Sequence, residues 1–286
     1  MKSRSPIGLI GLGLVGGALA QRLRRAGFSV VGFDVDAARR KALRKPGGRA
    51  AESAAAVFAA CDRVLLSLPN SDVVKAVLRV AAPQLRRGLR IIDTTTGEPD
   101  ATTQLGAKLA RRGVRYMDAT LVGSSAQISA GDVLVLVGGR RADFAAARDL
   151  LATYSRQSFH VGPCGSGARM KLVVNLALGL NRAVLAEALS FAGRVGVSQT
   201  LALAVLKAGA AYSRVMDTKG EKMLKREFAP QARLSQHLKD VRLILQLGRK
   251  HRARLPLEGI HRRLLEAAVK AGLGDADNSA VIEAYR

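Results

Sequence analysis

Apolar residues fall along this chain in two different rhythms. Up to about residue 162, short, largely apolar runs alternate with stretches of helical spacing. The runs lie at residues 7–10, 30–33, 64–68, 89–93, 114–119, 133–137 and 159–161. Runs of this length between turn signals suit strands buried on both faces. Between them the spacing predicts helices over residues 17–26, 37–43, 54–60, 73–81, 100–112 and 142–155, with Ser53 capping the third. Pro46-Gly47-Gly48 reads as a break and residues 120–131 as a loop. Strand followed by helix, many times over, predicts an α/β fold: a doubly wound sheet with helices on both faces.

The rhythm changes at Pro163, and no convincing strand follows. Residues 165–195 form one long helical pattern through Leu172, Val173, Leu176, Leu180, Val184, Leu185 and Leu189. It is apolar on more than one face, as suits a helix enclosed by neighbours. Ser198, Pro230, Pro256 and Gly272-Leu273-Gly274 punctuate further helices. The chain therefore divides into an N-terminal α/β domain, residues 1–162, and an all-α C-terminal domain, residues 163–286.

The first strand–helix–strand unit carries a more specific signal. The run at 7–10 leads into Gly11-Leu12-Gly13-Leu14-Val15-Gly16, a G-x-G-x-x-G that opens the first helix, and the second run ends in Asp34. Alone, that glycine pattern marks many plain turns. With the strand, the helix and the distal acid in place it predicts a dinucleotide site. Gly11 allows the tight turn, Gly13 lets a pyrophosphate approach the backbone, and Gly16 lets helix and strand pack closely. The helix N-terminus attracts phosphate, and Asp34 can accept hydrogen bonds from a ribose diol. Ligands of doubly wound sheets bind beyond the carboxyl ends of the strands, which adds Leu68, Pro69 and the 93–96 stretch to the expected site.

Composition narrows the classes. At 286 residues and 48% hydrophobic, the chain can fill a core for one large domain or two ordinary ones. No apolar run reaches the ~18 residues of a membrane span, and Met1-Lys2-Ser3-Arg4-Ser5-Pro6 runs straight into the first strand, so no signal peptide is expected. Cys61, Cys164 and four scattered histidines give neither a disulfide framework nor metal-ligand spacing. A reducing, cytoplasmic setting is expected, with no metal. The net charge of +24 admits a polyanionic partner. Basic residues spread along the whole sequence, aromatics at 4% and no Trp argue against nucleic acid, and attraction of anionic substrate and cofactor is the expected use.

Within the long apolar helix Lys171 and Asn175 stand four residues apart, on one face. By spacing alone they also suit a lysine snorkelling at a domain edge and an asparagine bonded to nearby backbone. Beside a dinucleotide site they suit chemistry, because a desolvated lysine can exchange a proton with a substrate oxygen.

Gly165-Ser166-Gly167-Ala168-Arg169-Met170-Lys171-Leu172-Val173-Val174-Asn175 resembles the G-x-G-x-x-x-K-x-x-N-N motif of the β-hydroxyacid dehydrogenases, which include 3-hydroxyisobutyrate dehydrogenase and tartronate semialdehyde reductase. The likeness covers almost the whole chain. Residues 10–16 resemble the opening G-L-G-x-x-G of a Rossmann-type domain. Asp93-Thr94-Thr95-Thr96 with Pro99 resembles D-x-S-T-x-x-P, Leu238-Lys239-Asp240 a late L-K-D, and Asp277-Asn278-Ser279-Ala280-Val281 a C-terminal D-x-S-A-V. The resemblance implies NAD or NADP as cofactor, Lys171 as catalytic acid/base and Asn175 as its partner on the substrate. It also implies Thr96 near the nicotinamide half, Lys239 beside cofactor and substrate, and a homodimer or homotetramer. Leu201, Leu203, Val205 and Leu206 make an apolar short helix that fits such an assembly. By itself Lys239 is an ordinary helix-surface lysine, and Asp240 suits an ion pair with a neighbouring arginine.

Two positions depart from the family. Val174 replaces the first Asn of the N-N pair. In Asp118-Ala119-Thr120-Leu121-Val122-Gly123-Ser124, which aligns with D-A-P-V-S-G-G, Val122 stands where the family has a serine for the substrate carboxylate. Backbone N–H groups at Gly123 and Ser124 can still bind an anion, and Ser124 or Ser125 can supply a hydroxyl. The expected function is hydride transfer between a nicotinamide and a small 3-hydroxy acid or aldehyde acid. Val122 keeps open a reductase of imines or small carbonyls, and the charge keeps open a non-catalytic dinucleotide-binding or nucleic-acid-associated protein.

Overall fold

The computed structural model describes residues 5–44 and 47–285; Met1 to Arg4 of the N-terminal stretch and Pro46 of the expected break lie outside the described residues. The chain forms two compact units, Met1–Lys171 and Leu172–Arg286.

The first unit runs β1 (Ile7–Ile10), α1 (Leu14–Arg25), β2 (Val30–Phe33), α2 (Ala37–Arg44), β3 (Arg49–Ala50), α3 (Ala54–Ala60), β4 (Arg63–Leu66), α4 (Ser71–Val80), β5 (Arg90–Asp93) and α5 (Pro99–Arg111). It continues with β6 (Arg115–Val122), α6 (Ser125–Ala130), β7 (Val133–Gly138), α7 (Arg141–Ala145), α8 (Arg148–Leu151) and β8 (Ser155–Gly162). The strands make one sheet in the order β3-β2-β1-β4-β5-β6-β7-β8. Every neighbouring pair is parallel except β6 and β7. The chain leaves β1 toward one edge and returns to β4 on its other side, so the strand order reverses between β1 and β4. A crevice at that reversal is where such sheets take ligands.

The largely apolar runs are explained by burial on both faces. Ile7, Leu9, Leu19, Leu23 and Tyr154 belong to one core, and Ile10, Val57, Phe58, Val64 and Ile91 to another. Alternate residues of β1 thus feed opposite cores, as the two-residue side-chain period requires.

Several elements differ from expectation. β6 continues to Val122 and α6 forms at Ser125–Ala130, where the sequence reads as a loop. α6 has six residues, of which only Ile128 is a large apolar side chain, so it has too little apolar periodicity to register. The single helix expected over 142–155 is instead α7, α8 and the start of β8. β8 pairs only with β7 and contains the strand expected at 159–161, but exposed Arg156 and Gln157 hide its first half from an apolar count. β3 is a two-residue edge strand with no apolar run at all.

The helices continue with α9 (Ser166–Arg194), α10 (Gln199–Ala208), α11 (Arg214–Lys225), α12 (Leu234–Lys250) and α13 (Pro256–Ala268). The first six residues of α9 belong to the first unit and the remainder to the second. In the second unit Leu185, Leu189, Leu203, Val241 and Leu265 centre a separate core. Leu203 is thus interior, whereas Leu201 and Val205 face outward. Asp277 ties the unit's C-terminal segment down. Its carboxylate accepts Lys219 Nζ at 2.8 Å, the N–H groups of Gln231 and Ala232, and both the N–H and hydroxyl of Ser279. These bonds outweigh burial and hold the Asp277 carboxyl far below the usual range. α9 is long and apolar enough by composition to cross a membrane. It also carries Lys171, Asn175 and Arg182 as buried polar residues.

Candidate functional site

Three glycines after β1 meet three different demands. Gly11 has φ +91°, and a Cβ there would lie 2.1 Å from the Ser67 carbonyl oxygen. A Cβ on Gly16 would lie 1.9 Å from the Gly11 carbonyl oxygen. Gly13 is different: a Cβ would meet only Arg39 Nη1, at 3.6 Å. Gly11 and Gly16 are therefore fixed by packing, and Gly13 leaves an open approach to the backbone, as a pyrophosphate needs. Gly13 also caps α1, which has no side-chain cap and no acidic residue in its first turn. Its uncapped N–H groups and dipole end remain available to phosphate. Leu12 is buried, Val15 packs against the core, and Leu14 is exposed.

Asp34 closes this loop from the end of β2. Its carboxylate accepts Leu12 N–H at 2.7 Å and Asp36 N–H at 2.9 Å, and Arg39 Nη1 lies 3.4 Å away. Burial alone would raise its pKa; the two N–H groups and Arg39 reverse that and hold the group below the ordinary carboxylate value. The site thus keeps an anion where a ribose diol belongs, and these residues fit a nicotinamide dinucleotide.

Two neighbouring loops complete the crevice at the carboxyl ends of β4 and β5. Leu68 N–H donates to Thr95 Oγ1 at 3.2 Å, Thr94 Oγ1 donates to the Leu66 carbonyl, and Glu98 N–H donates to Ser71 Oγ. Pro69 is exposed and Asn70 caps α4. Thr96 lies in the loop that these bonds hold. Beneath it Asp93 accepts Thr95 N–H at 2.9 Å and the Tyr116 hydroxyl at 2.6 Å. Burial pushes the Asp93 carboxyl up to about 6, against the opposing pull of these bonds.

At the end of β6, Val122 is half-buried and Gly123 has φ +148°. Ser124 is committed elsewhere. Its hydroxyl accepts Gln127 N–H and its own N–H donates to Gln127 Oε1, a reciprocal cap on α6. The donors that the sequence offers for an anion here therefore reduce to Gly123 N–H and Ser125.

Lys171 and Asn175 both lie on α9, four residues apart, and both are more than nine-tenths buried. Asp118 anchors the start of that helix by accepting Gly165 N–H at 2.7 Å and Ala168 N–H at 2.8 Å. In the second unit Asn175 Nδ2 donates to Asp240 Oδ2 at 2.8 Å, and Lys239 Nζ lies 3.0 Å from Asp240 Oδ1. Asp240 thus bonds to the asparagine and to its neighbouring lysine. The amide of Asn175 is oriented by that bond, which suits a group that must present one end to a ligand.

A family model for the NAD binding domain of 6-phosphogluconate dehydrogenase matches residues 6–162, more than half of the chain. A second, the NAD-binding region of NADP-dependent 3-hydroxyisobutyrate dehydrogenase, matches residues 165–285. This chain belongs to the β-hydroxyacid dehydrogenases, a family of NAD(P)-dependent enzymes. It is 31% identical over 289 residues to 2-(hydroxymethyl)glutarate dehydrogenase of Eubacterium barkeri, covering 100% of this chain and 96% of that protein. It is 28% identical to 2-hydroxy-3-oxopropionate reductase of Escherichia coli, covering 97% and 96%. A 3-hydroxyisobutyrate dehydrogenase from Salmonella typhimurium shares the fold with a TM-score of 0.90 at 24% identity, over 98% of this chain and 99% of that one.

In this β-hydroxyacid dehydrogenase, Asp93, Tyr116 and Asp118 carry the buried hydrogen bonds under the site, and spacing alone did not single them out. A carboxylate within or at the end of a largely apolar strand is the signal that marks both aspartates: Asp93 ends β5 and Asp118 lies midway along β6. Tyr116 has no such mark.

Proposed function

We propose that this protein moves a hydride between a nicotinamide dinucleotide held by the first unit and a small 3-hydroxy acid or its aldehyde acid. The observation that carries the reading is the pair of buried polar residues Lys171 and Asn175 on one face of α9, in a chain whose Gly11–Gly16 loop and Asp34 fit the dinucleotide. The cofactor supplies or takes the hydride. Lys171 gives a proton to the substrate oxygen in reduction and takes it in oxidation, which positioned acid/base groups accelerate by ~10²–10⁴-fold. Asn175, oriented by Asp240, holds that oxygen. Thr96 and the Leu68–Pro69 turn flank the nicotinamide half, and Lys239 adds positive charge near an anionic substrate. The substrate carboxylate is held by the 122–125 loop, chiefly through Gly123 N–H and Ser125. The setting is reducing and cytoplasmic, in keeping with two free cysteines.

Val122 supports a second reading, in which the pocket prefers a carbonyl or imine lacking a carboxylate. A turnover panel of 3-hydroxy acids, aldehyde acids and cyclic imines with both cofactors separates the two. For the acid reading, Val122→Ser preserves or improves kcat/KM for the carboxylate substrate, because it adds a donor facing the anion. Turnover of imines alone, with a loss in Val122→Ser, would overturn it.

A further inference from the structure

The basic residues are dispersed in sequence, but the fold gathers many of them onto one edge. Arg63, Arg90 and Arg115 open β4, β5 and β6, and the sheet register sets all three side by side. Adjacent strands lie ~4.8 Å apart, so three guanidinium stems leave one row of backbone. Like charges directly opposite one another on neighbouring strands cost stability, and Arg90 Nε is buried with no hydrogen-bond partner. Arg63 and Arg115 are each answered by one carboxylate, Asp149 and Asp143.

The loops beside that row add more of the same charge. Gly88 N–H bonds to the Gly113 carbonyl, and the Arg87 side chain packs against Gly113, so the turns before β5 and β6 adjoin. Exposed Arg86, Arg87, Arg111 and Arg112 lie there. Arg140 shares Asp143 with Arg115, which joins the turn after β7, with exposed Arg141, to the same surface. The exposed large apolar side chains of the molecule include none in residues 85–90, 111–115 or 139–143. This edge lies at the amino ends of the parallel strands, opposite the crevice that fits the dinucleotide.

We propose that this arginine edge docks the phosphate backbone of double-stranded nucleic acid. Guanidinium groups bind phosphate oxygens in a bidentate fork. With no exposed aromatic or apolar platform beside them, they suit a paired backbone better than unstacked bases or a lipid surface. Recognition by phosphate contacts alone is independent of sequence and falls steeply with salt.

The test is fluorescence anisotropy of a labelled random-sequence 30-base-pair DNA duplex, titrated with the full-length protein between 50 and 200 mM NaCl. Arg87→Glu/Arg111→Glu/Arg141→Glu should weaken binding at least about tenfold and flatten the log K against log salt slope by about three, one per lost contact. Arg249→Glu/Arg254→Glu/Arg263→Glu makes the same charge change in the second unit and should leave that slope unaltered. The three edge arginines changed to lysine should retain binding, which separates lost charge from lost fold, and saturating NADH should not release the duplex. No duplex binding at 50 mM NaCl overturns the proposal. So do equal losses in the two glutamate variants, or binding to phosphatidylserine vesicles without binding to the duplex.

Discussion

Gly11, Gly13 and Gly16 show what a single residue type can disclose. The spacing predicts three roles, and three sterically different surroundings occupy those positions. Asp34 is equally legible, because an acid at the end of the second strand has one common use. What the sequence could not reveal is how Asp34 is held. Leu12 and Asp36 N–H groups and Arg39 keep it ionised, and the carboxylate repels a 2′-phosphate. NADH should therefore bind more tightly than NADPH in a fluorescence titration. NADPH tighter by tenfold, ~1.4 kcal/mol, would contradict that assignment and make Arg39 the dominant group. Ser124 marks the opposite limit: its hydroxyl reads as an anion donor in sequence, yet the Gln127 cap uses it, and a capping box is recognised only once α6 is known to be a helix.

At the scale of elements, strands buried on both faces were readable because their buried positions are mostly apolar, with hydrogen-bonded exceptions such as Asp93 and Asp118. Edge and capping elements were not. β3 has only two residues, the first half of β8 is polar and exposed, and α6 is too short to show a period. The loop after β5 belongs with them. Its D-T-T-T sequence suggests a site, but its shape comes from bonds to the turn after β4 and from the Asp93–Tyr116 pair on the neighbouring strand. That pair makes a pH prediction. Burial raises the folded-state pKa of Asp93 from 3.8 to about 6. The folded state then binds the proton more tightly than the unfolded chain, so Asp93's contribution to stability is present below about pH 4 and is lost as pH rises through about 6. The melting temperature of the wild type relative to Asp93→Asn should fall between pH 4 and pH 7. A difference that stays level or grows over that interval would place the Asp93 proton elsewhere.

For the whole molecule, composition gave the class and the fold gave the distribution. The change of rhythm near Pro163 marked where strands stop, while the compact units divide at Lys171, inside α9, because the start of that helix is anchored by Asp118. No periodicity discloses such an anchor. The charge of +24 likewise reads as diffuse until β4, β5 and β6 align their first residues. The proposed function assigns a division of labour across the chain, with the Gly11–Gly16 loop and Asp34 to bind the dinucleotide and Lys171 to move the proton. The most direct test is steady-state kinetics of Lys171→Ala and Lys171→Arg beside NADH affinity for the same proteins. The account predicts unchanged NADH binding, a drop in kcat of at least ~10²-fold in Lys171→Ala, loss of one limb of its kcat/KM pH profile, and no rescue by arginine, which does not release its proton near neutral pH. Activity within a few-fold of wild type, with NADH still bound, would remove Lys171 from the chemistry and leave it a packing residue of α9.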